Sequence, residues 1–353
     1  MAYRVGIAGA TGLVGQRLVA RLFGHPWFKL EALGASERSA GRRYADAARW
    51  LLPQPIPADD AGRLVVGCTP EDFRGCDLVL SALDGTTGRS VEPALARAGL
   101  AVVSNSSALR MDPDVPLLVP EINAAHLERL ARRKDGERGF VVTNPNCSVT
   151  GLAMALAPLH RAFGVRRVVV ATLQAVSGAG LDGPRSIELL DNVIPFIAGE
   201  EEKIEIELGK ILGGVDERGF VPAPIAVAAH CHRVNTVDGH LEAVSVELAR
   251  PATVEEAIAA LERFAGDVAG LALPTAPVRP IVVRREADRP QTRLDRDEGG
   301  GMSVVVGRMR TCPVLTLRFV VLSHNTVRGA AGGALLNAEL LAARGLLPRG
   351  PAA

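Results

Sequence analysis

The stretch YRVGIAGATGLVGQRLVARLF, residues 3–23, constrains this chain more than any other. A short β-type run enters a glycine-rich turn, after which Leu13, Val14, Leu18 and Leu22 recur at close to helical spacing. Strand, turn and helix in that order open a nucleotide-binding fold. Gly9, Gly12 and Gly15 spell G-x-x-G-x-x-G, a variant of the usual G-x-G-x-x-G fingerprint. Small residues there let the backbone approach a pyrophosphate, and the helix N-terminus offers it unpaired N–H groups. The rival reading of the glycines alone is a tight turn with no ligand.

The residues that follow favour the ligand. A second strand, FKLEALGAS, runs into ERSAGRRY, where a site built for NAD would place an acidic residue on the ribose hydroxyls. Ser36, Arg38 and Ser39 instead offer hydroxyls and a guanidinium fork suited to a 2′-phosphate, which points to NADP despite Glu37. Further strands at 77–83 and 100–107 alternate with a helical stretch, so the fold class is α/β with a parallel sheet covered on both faces. Ligands collect at the carboxyl ends of such strands, where Ser81, Asn105 and Arg110 fall.

Composition narrows the function classes. The formal charge of +1 gives no basic face for nucleic acid, and no apolar run has the length of a membrane span. The opening residues enter a strand at once and leave no room for a signal segment. Five cysteines, odd in number and without paired CxxC spacing, suggest neither a disulfide framework nor structural zinc. The expectation is a cytoplasmic protein acting on a small molecule, with no metal.

In NPNCSVTGLAMAL, Cys147 stands between a proline-locked turn and a helix-like run from Ser148 to Leu159. A thiolate at a helix N-terminus gains from the free amides and the dipole, which predicts a pKa below the ordinary ~8.5. The alternative is a buried cysteine filling an apolar gap. Residues 165–180 predict a long strand closing on a Ser177-Gly178-Ala179-Gly180 turn, with Gln174 as its polar residue. In GEEEKIEIELGKILGG, Ile204, Leu208, Ile211 and Leu212 mark a helix, and Lys203, Glu207 and Lys210 share one face that reads as a solvent-facing stripe. HCHRVNTVDGHLEAVSVEL reads as two strands joined at the Asp238-Gly239 turn. His230 and His232 share a strand face, a conceivable metal pair that no further cluster completes. One of its histidines is expected beside the thiol, and periodicity does not say which.

Seven motifs in order, GATGLVG, ASERSAGRRY, NPNCSVT, QAVSGAG, NVIPFIAGEEEKIEIELGKILG, HCHRVNTVDGH and LSHNTVRGAAGGALLNAELL, resemble the aspartate-β-semialdehyde dehydrogenase family, in its archaeal and fungal branch. The resemblance implies a Rossmann-type NADP-binding domain over 1–146, an α+β catalytic and dimerisation domain over 147–325, and a C-terminal helix over 326–353 that returns to the first domain. It implies Cys147 as nucleophile, His240 as acid-base group and Gln174 as an orienting amide. Arg233 would grip the substrate carboxylate and Glu207 its amino group, while Lys210, Arg110 and Asn146 would line the phosphate and acyl positions. Gly9, Thr11, Gly12, Leu13, Val14, Gly15, Ser36, Arg38, Ser39, Ser81, Ser177, Gly178 and Asn325 would hold the cofactor. The implied reaction is NADPH-dependent reduction of aspartyl phosphate to aspartate semialdehyde in a dimer or tetramer. Malonyl-CoA reductase resembles the same branch, and a non-catalytic NADP-binding sensor keeps the fold without the reaction.

Overall fold

The computed structural model describes residues 2–132, 138–181, 183–184 and 186–348. Six short strands, β1 (Tyr3–Ala8), β2 (Phe28–Gly34), β3 (Val65–Val66), β4 (Leu78–Ser81), β5 (Ala101–Ser104) and β6 (Phe140–Thr143), form one parallel sheet in the order β3-β2-β1-β4-β5-β6. Their near-continuous apolar sequences suit a sheet buried on both faces. Leu18, Val19 and Leu22 of the Leu13–Leu22 helix pack with Val5, Ile7, Leu78 and Leu80 on one face. Leu95 of the Gly85–Arg97 helix packs with Val79 and Val102 on the other. The chain order reverses between β1 and β4, and the crevice at the carboxyl ends of the strands opens there.

The second sheet is mixed. Its strands are β7 (Val165–Gln174), β10 (Ala226–Arg233), β11 (His240–Leu248), β12 (Ile281–Arg284), β13 (Val304–Thr311) and β14 (Leu317–Ser323), in the order β10-β7-β11-β14-β13-β12, and between β7 and β10 two small strands, β8 (Gly214–Val215) and β9 (Phe220–Val221), pair with each other apart from it. Inward residues of β7, β10 and β11 share a core with the Cys147–Phe163, Glu200–Leu212 and Val254–Glu262 helices. Val169 and Leu173 of β7 stay on the exposed face.

The Asp238-Gly239 turn does not close a hairpin. β10 pairs parallel with β7 on one side and β11 pairs antiparallel with β7 on the other. Residues 234–239 therefore cross over the end of β7, a step of two strand spacings, about 10 Å, that six residues span easily. The crossing sets Arg233 opposite Gln174 and brings His240 to the same end of the sheet.

The chain then returns to the first sheet. A π-helical turn at Val327–Ala331 leads into the Gly332–Ala343 helix, buried from Gly332 to Leu341 and packed in the core that holds Val5, Ile7 and Val103. A helix apolar on all sides is what such a position requires. The end of the chain from residue 349 lies outside the described residues. Among the described residues, no helix is long and apolar enough to cross a membrane.

Candidate active site

Cys147 is the first residue of the Cys147–Phe163 helix, whose N-cap is Asn146. The Asn146 carboxamide oxygen accepts from the Ser148 N–H at 2.9 Å, and its amide nitrogen donates to Glu200 at 2.8 Å. The Asn146 backbone N–H donates to Glu207 Oε2 at 2.7 Å. One residue thus caps the helix and ties the thiol turn to the Glu200–Leu212 helix. This helix continues one turn beyond Pro158, to Phe163, instead of stopping beside it.

His240 Nε2 lies 3.2 Å from Cys147 Sγ, and its Nδ1 accepts the Ala175 backbone N–H at 3.1 Å. A neutral imidazole has one donor and one acceptor nitrogen. The Ala175 amide claims the acceptor, so the proton sits on Nε2 and points at sulfur. An imidazolium would turn Nδ1–H against that amide. Burial pushes His240 down to about 3, with the Arg233 guanidinium acting in the same direction.

The expectation of a lowered thiol pKa fails in the free protein. Burial drives Cys147 up to about 12, and the Glu200 carboxylate adds to the rise. Arg110, Arg233 and the Ser148 amide pull the other way and lose. The amide contribution was real but small beside the cost of removing a thiolate from water. The resting pair is a neutral thiol accepting from a neutral imidazole.

Cys147, Arg110 and Glu200 face a cavity of about 460 Å³ between the sheets, with His240 buried behind the thiol. Gly12, Leu13 and Val14 line one end, Ser177 to Leu181 and Asn325 the middle, and Arg110, Asn146, Cys147, Glu200 and Lys203 the other. Gly9 has φ +84° and a Cβ on it would stand 2.8 Å from Ala82 O; on Gly15 it would stand 2.2 Å from Gly9 O. Gly12 is the N-cap without a side-chain partner for the helix amides. The cradle therefore fits a dinucleotide pyrophosphate. A Cβ on Gly178 would meet Arg233 Nη1 at 2.9 Å and His240 Cε1 at 3.1 Å, so that turn lies directly over both.

Other expected residues are placed differently. Glu207 and Lys210 do not form a solvent stripe and do not line the cavity. Glu207 accepts from Arg110 at 2.9 Å and is buried, and Lys210 donates to the carbonyls of Arg110, Asp112 and Val115 over the Phe220 ring. Burial lowers Lys210 to about 8. Ser81 is spent on Glu92 at 2.7 Å, and Thr11 supplies a carbonyl to Gln16. Ser36, Arg38 and Ser39 sit on the turn after β2, with Arg38 exposed. Gln174 is buried and reaches Thr172 at 3.3 Å and Glu200 at 3.4 Å. Arg233 donates to Ala175 O at 2.7 Å. His230 and His232 point to the face opposite Cys147, and no group of three metal-ligating side chains exists among the described residues.

Among the cavity residues that sequence reasoning missed are Glu200 and Lys203, beside the thiol. They pair at 2.8 Å across one helical turn. Burial raises the Glu200 carboxyl, yet Lys203 and Asn146 hold it below the ordinary range. The signal was the same GEEEK motif read for Lys203 and Glu207, in which only register decides which turn faces the thiol.

Residues 4–130 match the family described as semialdehyde dehydrogenase, NAD binding domain, and residues 156–328 match semialdehyde dehydrogenase, dimerisation domain. The aspartate-semialdehyde dehydrogenase of Methanothermobacter thermautotrophicus is 48% identical over 96% of this chain and 98% of its own length. This chain belongs to the aspartate-semialdehyde dehydrogenase family. The enzyme of that name from Cryptococcus neoformans is 45% identical over 98% of both chains. The structure of aspartate semialdehyde dehydrogenase with NADP from Candida albicans superposes with a TM-score of 0.91, at 42% identity over 98% of this chain and all of that one. The archaeal and fungal likeness read from the seven motifs is borne out, as is the Rossmann-type sheet joined to a second α+β unit. As a member of the aspartate-semialdehyde dehydrogenase family, the protein is an oxidoreductase.

Proposed function

We propose that the protein reduces L-4-aspartyl phosphate to L-aspartate 4-semialdehyde with NADPH, through a thioester on Cys147. The observation that carries this reading is that Cys147, with His240 Nε2 3.2 Å from its sulfur, opens with Glu200 and Lys203 onto one cavity whose far end is a dinucleotide cradle. Gly12, Leu13 and Val14 would hold the pyrophosphate, Ser177 and Asn325 the nicotinamide end, and Arg38 with Ser36 and Ser39 the 2′-phosphate. Bound NADPH supplies the hydride that reduces the thioester.

The chain's own residues do the rest. Cys147 sulfur attacks the acyl carbon, the acyl C–O bond breaks, and phosphate leaves toward Arg110 and Lys203. Arg233 offers a guanidinium to the α-carboxylate and Glu200 a carboxylate to the α-ammonium, so two fixed opposite charges orient the substrate. An ammonium beside Glu200 cancels a charge that opposes thiolate formation, so the substrate itself eases ionisation of Cys147. The thiol proton passes to the departing phosphate oxygen, and His240 Nε2–H hydrogen-bonds the sulfur as it attacks and then the acyl oxygen as negative charge builds on it. As the aldehyde leaves, the C–S electron pair returns to sulfur, which takes a proton from water and restores the resting thiol. In this reading Glu207 and Lys210 support the site from behind and their expected substrate roles pass to Glu200 and Lys203. Gln174, held near Glu200, orients the acyl group.

The exposed β7 face, with Val169 and Leu173, fits a homo-oligomer contact, in keeping with the dimerisation family matched here. Malonyl-CoA has no ammonium for Glu200. Assay of NADPH oxidation with aspartyl phosphate and with malonyl-CoA tests the proposal. Turnover confined to the aspartyl substrate supports it, and turnover confined to the CoA ester overturns it.

A further inference from the structure

The helix that starts at the dinucleotide cradle carries two arginines, Arg17 and Arg21, four residues apart and therefore on one face. Both reach across to the second sheet's domain. Arg21 donates to Gly300 O at 2.8 Å. Arg17 donates to Asp238 Oδ2 at 3.0 Å, with both side chains largely buried. Asp238 is two residues before His240, on the crossing that sets the imidazole.

That crossing is fastened at both Asp238 carboxylate oxygens, at its carbonyl and at the next N–H. Thr326 Oγ1 donates to the other Asp238 oxygen at 3.2 Å, and Arg296 donates to its carbonyl at 3.1 Å. The Gly239 N–H donates to Asn325 Oδ1 at 2.9 Å, while Asn325 Nδ2 donates to Ser177 Oγ at 2.9 Å. Arg17 is the member of this set that comes from the cofactor helix. Its Nε is buried without a partner, so the side chain is committed through its terminal nitrogen to Asp238.

We infer that Arg17 is a positioning residue that couples the cofactor-binding helix, through Asp238, to the placement of His240 against Cys147. This rests on the proposed roles of His240 and Cys147. A pyrophosphate seated at Gly12 fixes the first turn of the helix, and Arg17 lies one turn further along. An ion pair with little exposure is stiffer than a surface one, so helix position passes to Asp238 and then to the imidazole two residues on.

The test compares wild type with Arg17→Met, Arg17→Lys, Asp238→Asn, the Arg17→Met/Asp238→Asn double variant and Arg21→Met. Two measurements are made: kcat against the NADPH dissociation constant, and the rate at which iodoacetamide alkylates Cys147 without substrate. Coupling predicts that Arg17→Met and Asp238→Asn each lower kcat tenfold or more, with the NADPH constant within threefold. Each changes the alkylation rate at least threefold. The double variant is no worse than the worse single one. Arg17→Lys recovers part of both, and Arg21→Met stays within threefold throughout. Thermal melts identify any variant that fails to fold, in which case Arg17→Lys and Asp238→Asn carry the comparison.

The inference is overturned if kcat and alkylation are unchanged, if the two losses multiply in the double variant, or if NADPH affinity falls in step with kcat. Alkylation needs no substrate, so it reports on coupling even if the substrate assignment fails. That separate failure would show in wild type, as an absence of aspartyl phosphate turnover.

Discussion

The backbone N–H of Ala175 donates to His240 Nδ1 at 3.1 Å, and that bond decides which nitrogen of the ring carries the proton. Ala175 follows the last residue of β7, and His240 is the first residue of β11. The sheet register therefore builds an Nε2–H donor aimed at the Cys147 sulfur. A thiolate–imidazolium pair would need an Nδ1–H where the Ala175 amide already points.

Imidazole ¹⁵N NMR of the free protein should show His240 protonated at Nε2 alone, with no titration between pH 5 and 8, since burial and Arg233 hold it near 3. A midpoint inside that window, or an Nδ1–H signal, would contradict the assignment. His240→Asn should lower turnover by about two to four orders of magnitude while leaving NADPH affinity within threefold.

The second expected outcome concerns the sulfur. With burial and Glu200 raising Cys147 to about 12, its alkylation by iodoacetamide should climb steadily from pH 6 to 9.5, by close to tenfold per unit. A plateau reached below pH 8 would mean an ion pair in the resting site. Glu200→Gln removes the carboxylate charge that, together with burial, raises the thiol. It should quicken alkylation several-fold while weakening the substrate KM, two effects that a merely structural residue would not move in opposite senses.

Much of this architecture was legible beforehand. The glycine spacing after β1 and the alternation that follows it specify a parallel sheet, because both depend on local pattern. The crossing of 234–239 over β7 was not legible: a DG turn between two strands has the same local sequence whether or not a third strand intervenes. Likewise Lys203, Glu207 and Lys210 do share a face by spacing, but helical periodicity carries no information about what that face meets. Here Glu207 meets Arg110 and Lys210 a layer of backbone carbonyls, while Lys203 turns to Glu200 at the cavity. The helix N-terminus at Cys147 was read correctly as a local feature, and the loss of solvent around it, a tertiary effect, reversed its consequence.

Glu207 and Glu200 therefore divide by measurement. Removing Glu207 leaves the buried Arg110 guanidinium without its counter-ion, holding the Asn105 carbonyl alone, and the Asn146 N–H without an acceptor. Glu207→Ala should cost about 3–5 kcal/mol of stability, read by urea or thermal unfolding. Glu200→Gln should cost much less and act mainly on substrate KM. If Glu207→Ala kept wild-type stability and lost only substrate affinity, the exchange of roles would be wrong.

Acylation of Cys147 is the step on which every later one depends. Intact-protein and peptide mass spectrometry of enzyme mixed with aspartyl phosphate, without NADPH, should find one aspartyl group on Cys147, with one phosphate released per chain acylated and none of either with Cys147→Ala. Phosphate release or full turnover without that adduct would contradict it.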